Sequence, residues 1–418
     1  MQPMAAPSIA LTAISDRAAA LRESLVTLRR ELHAHPELSG EERRTAELVV
    51  SRLRSLGLEV EERIGGYGVV GVLTGAHPGP TVAYRADMDA LPIQEEASDR
   101  PYASLVLGVS HACGHDVHVA IALGVAEVLA GLRDSLRGSI VFVFQPAEES
   151  LDGARAMIAA GLLDRYRPAA MLALHTSPLQ VGTVGIAEDL CLAGMEEFRV
   201  RFYAPGADLD TMVREAVVAL ESLSTSNPPQ DAAQFQALAR RMEAGSGLER
   251  TVFLSCWPNV DEAMPSYHML GLASIADFAL RPALQRQIRC ALDHVTRCHG
   301  ATYDLAVTFV NPPLRNDHAL VAQVRPVVER LLGHENVLSF RDPYPYSHED
   351  LSLFAAQIPT ALLWVGSANV AGSDRSDGSD RNIPSLLHTP DYDVDEDALV
   401  VGTQTATAAL LHLTGAAL

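Results

Sequence analysis

The sequence predicts an α/β fold, a three-layer domain on a mixed sheet with a smaller α+β domain inserted into it. Three observations point that way. Through the first 194 residues, short and continuously apolar runs alternate with stretches of helical periodicity, as expected of strands buried between two helical layers. The texture changes after residue 194 and returns after residue 311, so the main unit reads as 1–194 plus 312–418 and the insertion as 195–311. The length of 418 residues suffices for two cores.

From the amino terminus, DRAAALRESLVTLRRELHAHPELSGEERRTAELVVSRLRSLGLEV reads as two amphipathic helices broken at HPELSG, where Pro36 and Gly40 interrupt the period. GVVGVLTG, TVAYRADMD, SIVFVFQP and AAMLALHTSP fit buried strands, and VHVAIALGVAEVLAGLRDSL and DGARAMIAAGLLDRY supply helices between them. In the insertion, EEFRVRFYAPG alternates like a half-exposed strand, DLDTMVREAVVALESL is a helix capped by Asp208 or Asp210, and RTVFLSCW is strand-like. PALQRQIRCALDHVTRCHG and TYDLAVTFV add a helix and a strand before the turn-rich seam NPPLRND, Asn311 to Asp317. Beyond it come the helix HALVAQVRPVVERLLG, the strand TALLWVGS, a loop and a final helix. Asn369 to Asn382, NVAGSDRSDGSDRN, is rich in Ser, Gly and Asp and reads as a mobile loop.

The 32 basic residues against 52 acidic ones give a formal charge of -20, which opposes binding to nucleic acid or anionic membranes and leaves small molecules and proteins as partners. The first residues lack a basic n-region, and no apolar run reaches the roughly 18 residues of a membrane span. The most apolar candidate, VAIALGVAEVLAGL, carries Glu127. A cytoplasmic protein is expected. Its five scattered cysteines read as reduced thiols, four of them as small packing residues. Cys113 differs because histidines surround it.

Candidate ligands recur where apolar strands end, the position at which open α/β sheets bind ligands. SIVFVF delivers Glu148 and Glu149, AAMLAL delivers His175, TVAY delivers Asp87 and Asp89, and TALLWVGS precedes the loop that reaches His388. In SHACGHDVHVA, Cys113 and His115 flank Gly114, so a turn can aim thiolate and imidazole at one point, and these donors suit Zn, Mn, Co or Ni. Taken alone, the pair reads equally as a packed thiol and a helix-start residue, and His175 and His388 as structural or surface histidines. Clustering is what favours a metal. Glu148 and Glu149 in an extended segment would point in opposite directions, one to ligate and one to take a proton from activated water. His111, Asp116 and His118 either support ligands or cap the following helix. A Cys113 nucleophile with His115 or His111 as base is the competing chemistry.

RRELHAHPELSGEE, YRADMDALP, HACGHDVH, FQPAEES, GARAMIAAGLL, LHTSP, VGTVGIA and LHTPDYDVDEDAL, in this order, resemble the di-metal amidohydrolases typified by auxin-conjugate hydrolases, hippurate hydrolase and related aminoacylases. The resemblance implies two divalent ions (Mn, Zn, Ni or Co) on Cys113, His115, Glu149, His175 and His388, with Glu148 as general base and acid. Asp87 and Asp89 are implied in supporting roles. It further implies a catalytic domain with an inserted lid, and a homodimer or larger homo-oligomer formed through that lid. The expected substrate is the amide of an N-acyl or aryl-acyl amino acid; the alternatives are hydrolytic deamination of an activated aromatic amine, and a non-catalytic binding protein on this scaffold.

The insertion departs from the family. Where members carry a Gly-His-Ala run and a second histidine, one of which stabilises an oxyanion, this chain reads YAPGADLD, and DEAMPSYHMLGLAS replaces an asparagine-containing segment. His268 reads as a surface histidine. YSHEDLS puts His348 where a small residue is customary, and Val117 replaces a glycine. These departures touch substrate recognition and leave the ligand positions intact.

Overall fold

The computed structural model describes residues 9–96, 100–204, 208–259, 268–368 and 386–418. The stretch from Asn369 to Asn382 lies outside them, as do residues 205–207 and 260–267 of the departing segments.

Helices α1 (Leu11–Ala20), α2 (Arg22–Ala34) and α3 (Arg43–Ser55) precede strands β1 (Glu59–Glu62), β2 (Val69–Thr74) and β3 (His77–Asp87). Then come α4 (His115–Ala130), β4 (Arg137–Gln145), α5 (Gly153–Ala159), α6 (Leu162–Tyr166), β5 (Met171–Gln180) and β6 (Val184–Ala187). The next stretch holds β7 (Leu190–Leu192), β8 (Gly194–Tyr203), α7 (Leu209–Glu221), α8 (Ala232–Ala244), β9 (Val252–Pro258), β10 (Met269–Ile275), α9 (Arg281–Cys298) and β11 (Thr302–Asn311). The chain closes with β12 (Leu314–Arg315), α10 (His318–Leu332), β13 (Val337–Phe340), α11 (Leu351–Ala355), β14 (Thr360–Ala368) and α12 (Asp397–Leu413).

Eight strands form one mixed sheet in the order β1-β2-β4-β3-β5-β14-β6-β13. Its central pairs β4/β3, β3/β5 and β5/β14 are parallel, and β1/β2, β2/β4 and β14/β6 are antiparallel. The central strands are largely apolar on both faces because both faces are covered. In β4, Ile140, Phe142 and Phe144 enter one core with α4 and α12, whereas Val141 and Val143 enter a second core with α5, α8 and α11.

The structure redraws several predicted elements. The first amphipathic stretch is two helices, α1 and α2, meeting at Leu21. DGARAMIAAGLLDRY splits into α5 and α6 at Gly161, whose φ of +85° a helix cannot carry. Asp208, not Asp210, caps α7 by accepting from the Thr211 amide. All five cysteines are free, but Cys290 and Cys298 are exposed and therefore not packing residues. They fall off the apolar stripe of α9, Leu284, Ile288, Leu292 and Val295.

A separate four-stranded antiparallel sheet has the order β11-β8-β10-β9. Phe198, Val200 and Phe202 of β8 pack under α7 and α9 in a third core. Helix α8 does not join it. Asp231 caps that helix at its start, and Phe235, Leu238, Ala239 and Met242, spaced i, i+3, i+4 and i+7, turn into the second core of the large sheet beside Leu179 and Phe340. Among the described residues no helix is long and apolar enough to cross a membrane.

Candidate metal centre

A cavity of about 450 Å³ lies where the residues after β4, the second half of β5 and Trp364 of β14 meet. Cys113, Glu148, Glu149, His175 and His388 all line it. Cys113 and His115 are presented by Gly114, the N-cap of α4, at φ +84°. A Cβ there would meet Thr176 Oγ1 at 2.5 Å and the Tyr392 hydroxyl at 2.6 Å, so the close approach needs glycine.

The donor atoms of Cys113, His115 and His175 lie within 4.8 Å of one another, as do those of Cys113, Glu149 and His388, and those of His115, Glu148 and Glu149. Cys113 Sγ is 3.3 Å from His388 Nε2 and 3.6 Å from His175 Nε2. Glu149 Oε1 is 3.6 Å from His388 Nε2 and 3.8 Å from His115 Nε2. Three of the five predicted donors, Cys113, His115 and Glu149, therefore recur in two of these overlapping groups, an arrangement with room for two neighbouring ions.

Polar supports fix how the donors face. His115 Nδ1 lies 3.2 Å from Asp89 Oδ1, while Asp89 Oδ2 accepts from the Glu149 amide at 2.9 Å and from Ser39 Oγ at 2.6 Å. One carboxylate thus orients the ring of one donor and holds the backbone of another. His175 Nδ1 donates to the Thr176 carbonyl at 2.8 Å, which leaves Nε2 with its lone pair towards Cys113. The Thr176 amide donates to His118 Nε2 at 2.9 Å, so His118 Nδ1 carries the proton it gives to Asp87 Oδ1 at 2.5 Å. Asp116 forms an ion pair with Arg29 and a hydrogen bond with His33 Nδ1, each at 2.8 Å. No side chain caps α4, so Asp116 and His118 brace the cluster rather than the helix end. His111 is buried with neither ring nitrogen bonded to a described residue, and burial lowers its pKa to about 4.

The donor set is short of positive charge. Burial, with Glu149 and Glu148 nearby, pushes the Cys113 thiol well above its ordinary range, and burial together with Asp89 raises Glu149 to about 7. Burial, Glu349 and Glu149 likewise hold Glu148 well above the usual carboxylate range. His115 shows the opposite balance: burial lowers it, but Asp87, Asp89 and Glu149 outweigh burial and raise it to about 10. The inward atoms His115 Nε2 and Glu149 Oε1 are buried without a hydrogen-bond partner among the described residues. Buried anionic donors with unpartnered inward atoms fit divalent cations. The same environment argues against Cys113 as a nucleophile, since a thiol held protonated attacks poorly.

Two local expectations need correction. Glu148 and Glu149 do not lie in an extended segment; β4 ends at Gln145, Ala147 takes φ +55°, and the resulting turn brings both carboxylates to the cavity. His175 is not at a strand end but inside β5, which runs on to Gln180. His268 is absent from the described cavity lining, its Nδ1 accepting the Phe202 amide at 3.1 Å, whereas His348 is part of that lining and shares a 2.7 Å hydrogen bond with Ser274 of β10. Sequence reasoning missed the lining residues Phe235, Met242, Tyr344 and Trp364. The period of α8 was the available signal for two of them.

The model of peptidase family M20/M25/M40 matches residues 83–412. The N-acetyl-L-cysteine deacetylase of Bacillus subtilis is 30% identical over 393 residues, 91% of this chain and 86% of that protein. Thermostable carboxypeptidase 1 of Saccharolobus solfataricus is 31% identical over 393 residues, 91% and 93% of the two chains. Among solved structures, a dinuclear metal-binding M20 peptidase from Bacillus subtilis superposes with a TM-score of 0.72 at 26% identity, covering 95% of this chain and 99% of that one.

Proposed function

The chain belongs to peptidase family M20/M25/M40, a family of metal-dependent hydrolases, and on that premise we propose that it hydrolyses the C–N bond of an N-acyl compound. In this reading Cys113, His115, Glu149, His175 and His388 hold two divalent transition-metal ions, and Glu148 moves the proton. Such ions supply Lewis-acid polarisation of a carbonyl and lower the pKa of water toward about 7.

The Glu148 side chain makes no hydrogen bond to a described residue and faces the cavity at 5% exposure. Neighbouring cations would offset the burial and the carboxylates that hold it protonated, and so leave it able to accept a proton from water. As the C–N bond breaks, the acyl carbon keeps the water oxygen and Glu148 returns the proton to the departing nitrogen. Asp89 keeps His115 and Glu149 aimed during both transfers. We read the 195–311 insertion as a lid: Met195, Glu197 and Leu272 of its sheet line the cavity and limit access of water. We also place the contact between two copies on this unit, where Tyr203, Val218 and Val307 are exposed; sedimentation of the full chain would give a dimer mass.

The observation that carries the proposal is one unbonded glutamate beside five convergent donors. Removing metal with a chelator should abolish release of amine from N-acyl substrates, and Mn, Zn, Ni or Co should restore it. Ammonia release from aryl amines, measured on the same preparation, would instead favour the deaminase reading. Activity that resists chelation and is lost on thiol alkylation would refute both.

A further inference from the structure

Beyond the donor cluster the cavity continues along a wall that the hydrolytic chemistry does not use. Phe235, Ala239 and Met242 of α8 face it together with Leu179, Tyr344 and Trp364. The rings adjoin: Phe235 and Tyr344 have centroids 5.8 Å apart, and Tyr344 and Trp364 6.4 Å. Trp364 is in turn 5.6 Å from His175, so the apolar wall begins at the metal donors. Helix α8 is anchored there. Gln236 donates to the Pro178 carbonyl at 2.7 Å, and the Arg341 and Asp342 amides donate to the Met242 carbonyl at 2.9 and 3.1 Å.

Apart from the cations that the donor cluster would hold, the fixed charges of the lining are one-sided. Among its described residues are the carboxylates of Glu148, Glu149, Glu197 and Glu349 and no arginine, and the whole chain contains no lysine. Guanidinium groups bonded to the lining are already matched: Arg199 to Glu197 at 3.1 Å, and the buried Arg85 to Asp87, Glu349 and Asp350. A substrate carboxylate laid against this wall, away from the metal donors, would be desolvated without a counter-charge among the described residues, which is strongly unfavourable, whereas an aromatic group would simply leave water.

We infer that the α8 wall is a specificity site for an uncharged aromatic group, and that this enzyme prefers neutral aryl-bearing amides to the carboxylate-bearing N-acyl amino acids. The inference rests on the amide-hydrolase reading and narrows its substrate. A matched pair tests it: N-acetylphenethylamine and N-acetylphenylalanine differ only by the carboxylate. The metal-loaded wild type should show kcat/KM higher for the neutral member by about tenfold or more, because one buried charge lacks a partner. Met242→Arg, which sets a cation on the wall, should move that ratio towards the anionic member.

Binding separates the two levels of the argument. The chain has only two tryptophans, so Trp257→Phe combined with Glu148→Gln leaves Trp364 to report occupancy by its fluorescence. Tighter binding of the neutral ligand, even if neither compound is hydrolysed, would support the wall's selectivity while sinking the hydrolase reading for this pair. Hydrolysis with equal or better use of N-acetylphenylalanine would overturn the inference and leave the hydrolase reading standing.

Discussion

On the floor of the cavity three of the five donors are held by a further polar group, whereas the α8 wall is held chiefly by packing. Asp89 orients His115 and Glu149, and the Thr176 carbonyl orients His175. Phe235 and Met242 instead keep their places as part of an apolar core that also contains Phe340 and Trp364. The difference divides the labour: directional bonds fix where a cation and a proton go, and non-directional burial fixes what shape of substrate fits. Changes to the floor should therefore alter metal content or turnover, and changes to the wall should alter substrate preference.

The largest effect is expected on the floor at Glu148. Glu148→Gln should lower kcat by about 10²–10⁴-fold, the usual share of a general base, while metal content by elemental analysis stays at the wild-type value. Loss of metal in this variant would make Glu148 a ligand and blur the comparison. Next, Asp89→Ala should weaken metal affinity by about 10–100-fold in equilibrium dialysis, because it frees two donors to reorient. Unchanged affinity would show that the floor does not depend on its polar supports.

Gly114→Ala should cost about 1–3 kcal/mol in thermal unfolding, since the backbone is left-handed and the new methyl group meets Thr176 and Tyr392. Metal binding should also depend on pH, with a definite sign. Glu149 at about 7 and His115 at about 10 still bind protons at neutral pH, and ligation requires them to give those protons up. Cation uptake at pH 7 should release protons, seen as a dependence of calorimetric heat on the ionisation enthalpy of the buffer, and affinity should fall as pH falls. The smallest effect belongs to the wall: Phe235→Leu should change stability by less than about 1.5 kcal/mol, leave metal content alone and shift KM for aryl substrates. A change in metal content here would break the division between floor and wall.

The same division governs what could be read in advance. The floor was legible because its chemistry sits in short, distinctive runs: Cys113-Gly114-His115 at a helix start, Glu148-Glu149 after an apolar strand, His388 after a loop. The sheet was legible because strands buried on both faces lose their polar alternation. The turn at Ala147 was not, since a left-handed alanine has no sequence signal, and the expectation of oppositely directed glutamates failed with it. Nor was the role of α8 legible. Its period announces an amphipathic helix but not which core receives it, and α8 is set in sequence among the strands of the small sheet while packing against the large one. Likewise the motif in YSHEDLS flags His348 as unusual, but only the fold brings Ser274 to it.

The central claim is that five side chains hold two cations and leave Glu148 uncoordinated. Anomalous diffraction from crystals grown with Mn or Zn tests it most directly. Two adjacent peaks are predicted, ligated between them by Cys113, His115, Glu149, His175 and His388, with no bond to Glu148. A single peak, a peak bound by Glu148, or no peak in this cavity would contradict the account.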